Sequence, residues 1–315
     1  MVAVSIIIPT FNRAQFLGAA IDSALAQGDS VDVIVVDDGS SDETDALLEA
    51  YGDRISVLRQ ANLGPSAARN HGAEQSQADF FYFLDSDDIL EAGAIHGLLT
   101  EVKRHGSGQV PFGLASNIGQ EGEPLSGPTY GFPHLAVGHE LQLPELVGRV
   151  MPLWLYLVPR ERFRALGGLR SNLRLGEDHD FALRLHRSGC RFVVADTAVL
   201  KVRAHDGDRL SDTNSSDFGP SAFQVWQSIA ELAQDAPDWS DAAARALAKT
   251  VWIAGRDAAR GRDRSATEKL FHLAESLDPK VANATPLPLR LLGTTLGYYG
   301  AERVAERLKS LIGRA

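Results

Sequence analysis

The sequence predicts an α/β fold: a mostly parallel, Rossmann-like sheet flanked by helices, followed by a C-terminal α-helical extension. Three observations carry this. Short apolar, β-branched runs alternate with amphipathic stretches through the N-terminal third, which is the rhythm of βαβ units. Carboxylates gather where these runs end, as in Phe83-Leu84-Asp85-Ser86-Asp87-Asp88, and open α/β sheets place ligands at such strand ends. Beyond about Asp217 the strand signal stops and an Ala-rich helical pattern takes over. The expected division is residues 1–217 for the α/β domain and 218–315 for the extension.

In chain order, strands are expected at residues 2–8, 31–36, 55–58 and 80–84. Between the first two, Phe16, Leu17, Ala20, Ile21, Ala24 and Leu25 recur at helical spacing, with Asn12 in front as an N-cap. After the second strand, Ser40-Ser41-Asp42-Glu43 has the form of a capping box, and Leu47, Leu48 and Tyr51 share one face of the helix that follows. Residues 64–76 and 91–104 read as two further helices. Between 106 and 148 periodicity fades and Gly and Pro become frequent, so a loop-rich segment is expected, with one or two strands near 112–116. Then come a strand at 153–158, a short helix at 160–166 stopped by Gly167-Gly168, a helix at 178–188, and strands at 191–194 and 199–202. The extension reads as helices at 221–234, 241–260, 266–277 and 301–312, punctuated by Pro237, Pro279 and Pro286-Leu287-Pro288.

Composition narrows the class. A chain of 315 residues that is 44% hydrophobic can bury a sizeable core. With 31 Lys and Arg against 41 Asp and Glu, the net charge of −10 argues against the broad basic face that nucleic acid requires. The single cysteine, Cys190, excludes an intrachain disulfide, and no Cys/His spacing suggests zinc. No apolar run is long enough to span a bilayer and no basic leader opens the chain, so a soluble, cytoplasmic protein is expected. Leu287, Leu289, Leu291, Leu292, Leu296, Tyr298 and Tyr299, with Arg290, Arg303, Arg307, Lys309 and Arg314 nearby, leave two uses open. This patch either packs on the main domain or makes a peripheral contact with a membrane or a partner.

The acidic cluster is the strongest chemical signal. A strand of Phe-Phe-Tyr-Phe-Leu reads as buried on both faces, and three carboxylates in four residues at its end repel one another unless a cation neutralises them. The competing use is helix capping by Asp87 or Asp88, for which one Asp suffices. The first strand runs into Pro9-Thr10-Phe11-Asn12-Arg13 without the glycines of a dinucleotide cradle, and no Walker-type loop occurs. A nicotinamide dehydrogenase is thereby excluded.

Taken together, Val35-Val36-Asp37-Asp38-Gly39-Ser40, Asn62-Leu63-Gly64-Pro65-Ser66-Ala67-Ala68-Arg69-Asn70, Asp85-Ser86-Asp87, Gly176-Glu177-Asp178-His179-Asp180 and the later His205 closely resemble family-2 inverting glycosyltransferases of GT-A fold. The resemblance covers roughly residues 4–211. It implies a GT-A, nucleotide-diphospho-sugar-transferase sheet, and a metal-dependent enzyme. That enzyme would move a sugar from a nucleotide-sugar donor, a UDP-sugar first among them, to a saccharide or lipid-linked saccharide acceptor in cell-surface polysaccharide or glycoconjugate synthesis. Pro9, Thr10, Phe11, Asn12 and Asp38 look like the base and ribose contacts, with Asp37 alongside or serving the next helix. Arg69 either pairs with a phosphate or buttresses a neighbouring Asp. Asp85-Ser86-Asp87 matches the DXD motif, in which Asp85 addresses the nucleotide side and Asp87, with Asp88 and His205, holds Mn²⁺ or Mg²⁺. Glu177-Asp178 falls where the family has its catalytic acidic pair, with Asp178 as the general base and helix capping as its alternative use. Trp154 and Tyr156 either stack against a sugar or fill the core, and both are assigned to the core. A nucleotide-sugar binding protein without turnover and a nucleotidyltransferase are the competing functional classes.

Overall fold

A computed structural model describes residues 3–106, 108–173, 176–204, 219–284 and 295–306. The chain forms two compact units: Met1–Leu141 with Met151–Gly207, and Gln142–Val150 with Asp208–Ala315.

The first unit is built on a sheet in the order β3-β2-β1-β4-β8, from β1 (Val4–Thr10), β2 (Val31–Asp37), β3 (Ser56–Arg59), β4 (Phe80–Phe83) and β8 (Val158–Pro159). The first four are parallel and β8 runs antiparallel to β4. All of β1 is buried, as its unbroken Val-Ser-Ile-Ile-Ile run requires of a strand covered on both faces. Helices α1 (Ala14–Leu25), α2 (Thr44–Tyr51) and α3 (Pro65–Gln75) make the crossovers. The order turns back at β1, with β2 on one side and β4 on the other. The ends of these strands therefore open on a switch-point crevice, the ligand position of open α/β sheets.

Two caps differ from expectation. The N-cap of α1 is Arg13, not Asn12, and it makes no side-chain cap bond. Asp42 supplies the missing acceptor from the loop after β2, its Oδ2 taking Ala14 N–H at 3.1 Å while its Oδ1 takes Thr44 N–H at 3.1 Å. Asn12 instead adopts φ 51° and locks the two loops together: its Oδ1 accepts from Ser41 N at 2.8 Å and its N–H donates to Ser40 Oγ at 2.9 Å. The expected box at 40–43 is thus replaced by a lock between loops that are distant in sequence.

A second sheet, ordered β5-β9-β6-β7, contains β5 (Ile89–Leu90), β6 (Gln109–Ile118), β7 (Pro124–Tyr130) and β9 (Arg191–Arg203). The strand expected near 112–116 is the middle of the longer β6, whereas the loop-rich reading of 106–148 missed β7. Pro111 pairs with Val193 of β9, in a part of β6 that β7 does not reach. The two strands expected at 191–194 and 199–202 are one strand, whose register shifts beside Gly113. A Cβ on Gly113 would lie 2.2 Å from the Thr197 carbonyl oxygen, so a glycine is needed where the strands close on each other. Helix α4 (Ala94–His105) starts later than expected because Ile89 and Leu90 pair with β9. Residues 153–158 do not form one strand: Pro152 leads into a 3-10 turn, Leu153–Leu155, before the two-residue β8. Helices α6 (Arg160–Ala165) and α7 (Glu177–Arg187) complete this unit.

The second unit contains α5 (Leu143–Gly148), α8 (Gly219–Gln234), α9 (Asp241–Arg260), α10 (Arg264–Leu277) and helical residues 295–306. Ser240 and Asp263 cap α9 and α10 through Ala243 N–H at 3.3 Å and Ala266 N–H at 2.8 Å. Trp252 meets the Phe271 ring edge-on at 4.3 Å, and Tyr298 stacks on Phe271 at 4.6 Å. No described helix is long and apolar enough to cross a membrane. Leu287, Leu289, Arg290, Leu291 and Leu292 of the apolar patch lie outside the described residues, as do Arg307, Lys309 and Arg314.

Candidate active site

The crevice begins where β1 and β2 end side by side, Thr10 opposite Asp37 and Asp38 N–H donating to the Thr10 carbonyl at 2.8 Å. Asp38 is buried and accepts three hydrogen bonds: Gln60 Nε2, Leu63 N and Gly64 N, each at 2.8 Å. It thereby fixes the loop that delivers α3, with one acceptor position of its carboxylate left over. Asp37 accepts from Ser40 N at 3.0 Å. Pro9 is inside the sheet, opposite Val36, whereas Phe11 is 41% exposed and presents its ring at the surface.

From the opposite side, β4 delivers Asp85, Asp87 and Asp88. Asp88 is buried, and its Oδ1 accepts Arg203 N–H at 2.9 Å, while Arg203 Nε donates to the Asp87 carbonyl at 2.9 Å. Asp88 is thus engaged in fastening the end of β9, and neither it nor Asp87 caps a helix. Asp87 and Asp85 retain partial exposure. Among the described residues no three His, Cys, Asp or Glu side chains gather as a metal cage, and His205 lies outside those residues. Hard oxygen donors in this small number fit Mg²⁺ or Mn²⁺ as these ions bind nucleotides, through one or two carboxylates with phosphate oxygens and water completing the shell.

Arg69, buried on α3, links this end of β4 to α7. Its Nη2 pairs with Asp85 Oδ1 at 2.6 Å and its Nη1 with Glu177 Oε1 at 3.0 Å. Of the two roles open to Arg69 from the sequence, the geometry displays the buttress. Helix α7 starts after Gly176, whose φ of 76° favours glycine, with Glu177, Asp178 and Asp180 all in its first turn. Asp180 is fully buried between Arg184 and Arg170, with Oδ2 to Arg184 Nη2 at 2.7 Å and Oδ1 to Arg170 Nη1 at 3.0 Å. Arg184 in turn donates to the carbonyls of Leu166 and Gly168, so Asp180 serves the framework.

Asp178 is partly exposed, and its carboxyl is hydrogen-bonded to that of Glu177. Desolvation pushes its carboxyl well above the ordinary range and the adjacent Glu177 charge adds to the effect, while Arg69 works against both. Trp154 and Tyr156 are buried, as assigned. Tyr156 nevertheless lies within electrostatic reach of Asp178, which helps hold its hydroxyl protonated. Two contacts were not anticipated: the ion pair that ties Glu177 of the acidic pair to Arg69, and the amide of Asn70, which clamps both the N–H and the C=O of Leu169 at 2.9 and 2.8 Å. The Gly167-Gly168 stop was the one sequence hint of that clamp.

Known proteins resemble this chain in sequence and in fold. Residues 5–130 match the family described as Glycosyl transferase family 2. An uncharacterized glycosyltransferase, EpsJ, of Bacillus subtilis (strain 168) is 30% identical over 214 residues, 64% of this chain and 60% of that protein. The GalNAc(5)-diNAcBac-PP-undecaprenol beta-1,3-glucosyltransferase of Campylobacter jejuni is 39% identical over 105 residues, 31% of this chain and 34% of that protein. The chain thus spans less than two thirds of the length of either relative. The crystal structure of S. aureus TarS 1-349 in complex with UDP-GlcNAc superposes with a TM-score of 0.67 at 19% identity, covering 97% of this chain and 92% of that one, which shows a shared fold.

Proposed function

We propose that this chain, whose residues 5–130 match glycosyltransferase family 2, transfers a sugar from a nucleotide-sugar donor, a UDP-sugar first among them, to an acceptor hydroxyl with inversion. The observation that carries the proposal is the arrangement at the crevice: Asp178 beside an Arg69 bridge that runs to the acid cluster ending β4. An alcohol is a poor nucleophile at neutral pH. Asp178 takes its proton as the oxygen attacks the anomeric carbon from the face opposite the departing nucleoside diphosphate, a contribution on the order of a hundred- to ten-thousand-fold.

On the nucleotide side, the exposed Phe11 ring offers a face to the base, and the turn from Pro9 to Asn12 with Asp38 frames the ribose. Asp87, with the free side of Asp85, would hold Mn²⁺ or Mg²⁺, which when bound supplies positive charge against the diphosphate. The relatives' printed names, which include a succinoglycan biosynthesis protein and an undecaprenol-linked glucosyltransferase, support a saccharide or lipid-linked saccharide acceptor in cell-surface polysaccharide assembly.

Thermal shift with a panel of nucleoside diphosphates, with and without Mn²⁺, tests the donor side, because a ligand of the native state raises the midpoint by mass action. UDP with Mn²⁺ should raise it, and Asp87→Ala should abolish most of that rise without unfolding the protein. The same UDP affinity in EDTA as in Mn²⁺ would refute the metal assignment.

A further inference from the structure

A chain of hydrogen bonds runs behind the nucleotide side of the crevice. Gln60 Nε2 donates to Asp38 Oδ1 at 2.8 Å, and Gln60 Oε1 meets Nδ1 of His71 on α3 at 3.0 Å. A carboxylate only accepts, so the amide turns its nitrogen to Asp38 and its oxygen to His71, and His71 carries a proton on Nδ1. We propose that Gln60 and His71 are positioning residues that set base selectivity: they use up one side of the Asp38 carboxylate and leave it able to accept a single N–H, which favours uracil over guanine. The nature of the ligand rests on the transferase reading and its nucleotide-sugar donor; the hydrogen bonds that fill Asp38 do not.

A carboxylate offers about four acceptor positions, two on each oxygen. Oδ1 of Asp38 takes Gln60 Nε2 and Leu63 N, and Oδ2 takes Gly64 N, each at 2.8 Å. Oδ1 is therefore full, and Oδ2 has one position left. Asp38 is buried, and a buried acceptor gains most from a donor that fills it. Its own N–H donates to the Thr10 carbonyl at 2.8 Å, which places it beside the exposed Phe11, so a base stacked on that ring brings its edge to Asp38. Uracil has one imide N–H between two carbonyls and needs one acceptor. Guanine has two parallel N–H donors on one edge and needs both oxygens, and its second donor would meet a full Oδ1. A donor left unmet in a buried site is costly. The backbone at Gln60 does not depend on its side chain, because Gln60 N donates to the Asp37 carbonyl at 3.0 Å. Leu63 and Gly64 likewise hold Asp38 through backbone N–H groups. Truncating Gln60 therefore opens an acceptor, and room for a second donor, while these anchors remain.

The test is isothermal titration calorimetry of the full chain with UDP and with GDP, each with Mn²⁺, in wild type, Gln60→Ala, His71→Leu and His71→Asn. Wild type should bind UDP at least about tenfold more tightly than GDP, and in Gln60→Ala that ratio should fall by about tenfold through tighter GDP binding. His71→Leu, which lets go of the far end of the amide, should shift the ratio the same way by less. His71→Asn, which can offer an N–H in place of Nδ1, should stay near wild type. A loop that had only loosened would weaken both nucleotides together and leave the ratio unchanged. If Gln60→Ala does not fold, the two His71 variants decide, and equal ratios in them overturn the proposal. A wild type that binds GDP as tightly as UDP, or an unchanged ratio in Gln60→Ala, also overturns it, while the transferase reading stands because nucleotide is still bound. A wild type that binds neither nucleotide overturns the donor reading and the proposal with it.

Discussion

At the residue scale, the crevice is a set of carboxylates with divided duties. Asp88 and Asp180 are buried and fastened to Arg203 and Arg184, Asp38 holds the loop before α3, and Asp178 alone combines access with a raised proton affinity. A raised value has two consequences in the ligand-free protein. Turnover should fall as pH drops through it, above the ordinary carboxylate range near 4, because the protonated acid cannot accept a proton. Stability has the opposite sign: the contribution of this group is fully present below the unfolded-state pKa and is lost as pH rises through the folded one. Asp178→Asn, which cannot ionise, should therefore be more stable than wild type at pH 8 and no more stable at pH 4. Denaturant midpoints at the two pH values check this, and a lower midpoint at pH 8 would contradict it. The positions of these acids were legible because each closes an apolar run or opens a helix within a few residues. The pairing of Arg69 with Glu177 was not, since the two stand 108 residues apart and only the folded chain brings them together.

At the scale of elements, periodicity revealed what is buried on a regular face and missed what is set by neighbours. The runs ending at Thr10, Asp37 and Phe83 are strands because their side chains are covered on both faces. By contrast, β6 and β7 carry Pro and Gly, and β9 passes through the polar Asp196-Thr197, so none of the three has an unbroken apolar signal. The cap of α1 was equally hidden, because its acceptor, Asp42, arrives from another loop. Gly113 is the point at which this neighbour control can be measured. An alanine there meets the Thr197 carbonyl at 2.2 Å and Val199 Cγ2 at 2.3 Å, both held by the β9 ladder. Gly113→Ala should cost about 1–3 kcal/mol or more in chemical denaturation, as overpacking of a fixed core does. A variant of wild-type stability would mean that the strands part at that point without penalty.

At the scale of the whole molecule, the described groups of the proposed chemistry lie in the first unit, and the second unit takes Gln142–Val150 from the middle of the chain as well as the C-terminal helices. Leu143, Leu146 and Val147 of α5 are buried in that unit, and Val147 O accepts from Thr250 Oγ1 of α9 at 3.2 Å. Ending the chain at residue 207 should therefore strip the cover from α5 and lower solubility while leaving the crevice residues in place. Gel filtration of the shortened chain, with UDP binding measured alongside, checks this; a monomer as soluble as the full chain would contradict it. The central claim, that this chain activates an acceptor hydroxyl through Asp178 against a nucleotide sugar, is tested most directly by nucleoside diphosphate release from a panel of nucleotide sugars with Mn²⁺. Wild type and Asp178→Asn are compared at saturating donor, with donor affinity measured in parallel. The account predicts release from at least one UDP-sugar by wild type, and a rate at least about a hundredfold lower for Asp178→Asn at little-changed affinity. Equal rates for the two proteins, or a loss that tracks donor binding instead of turnover, would contradict it.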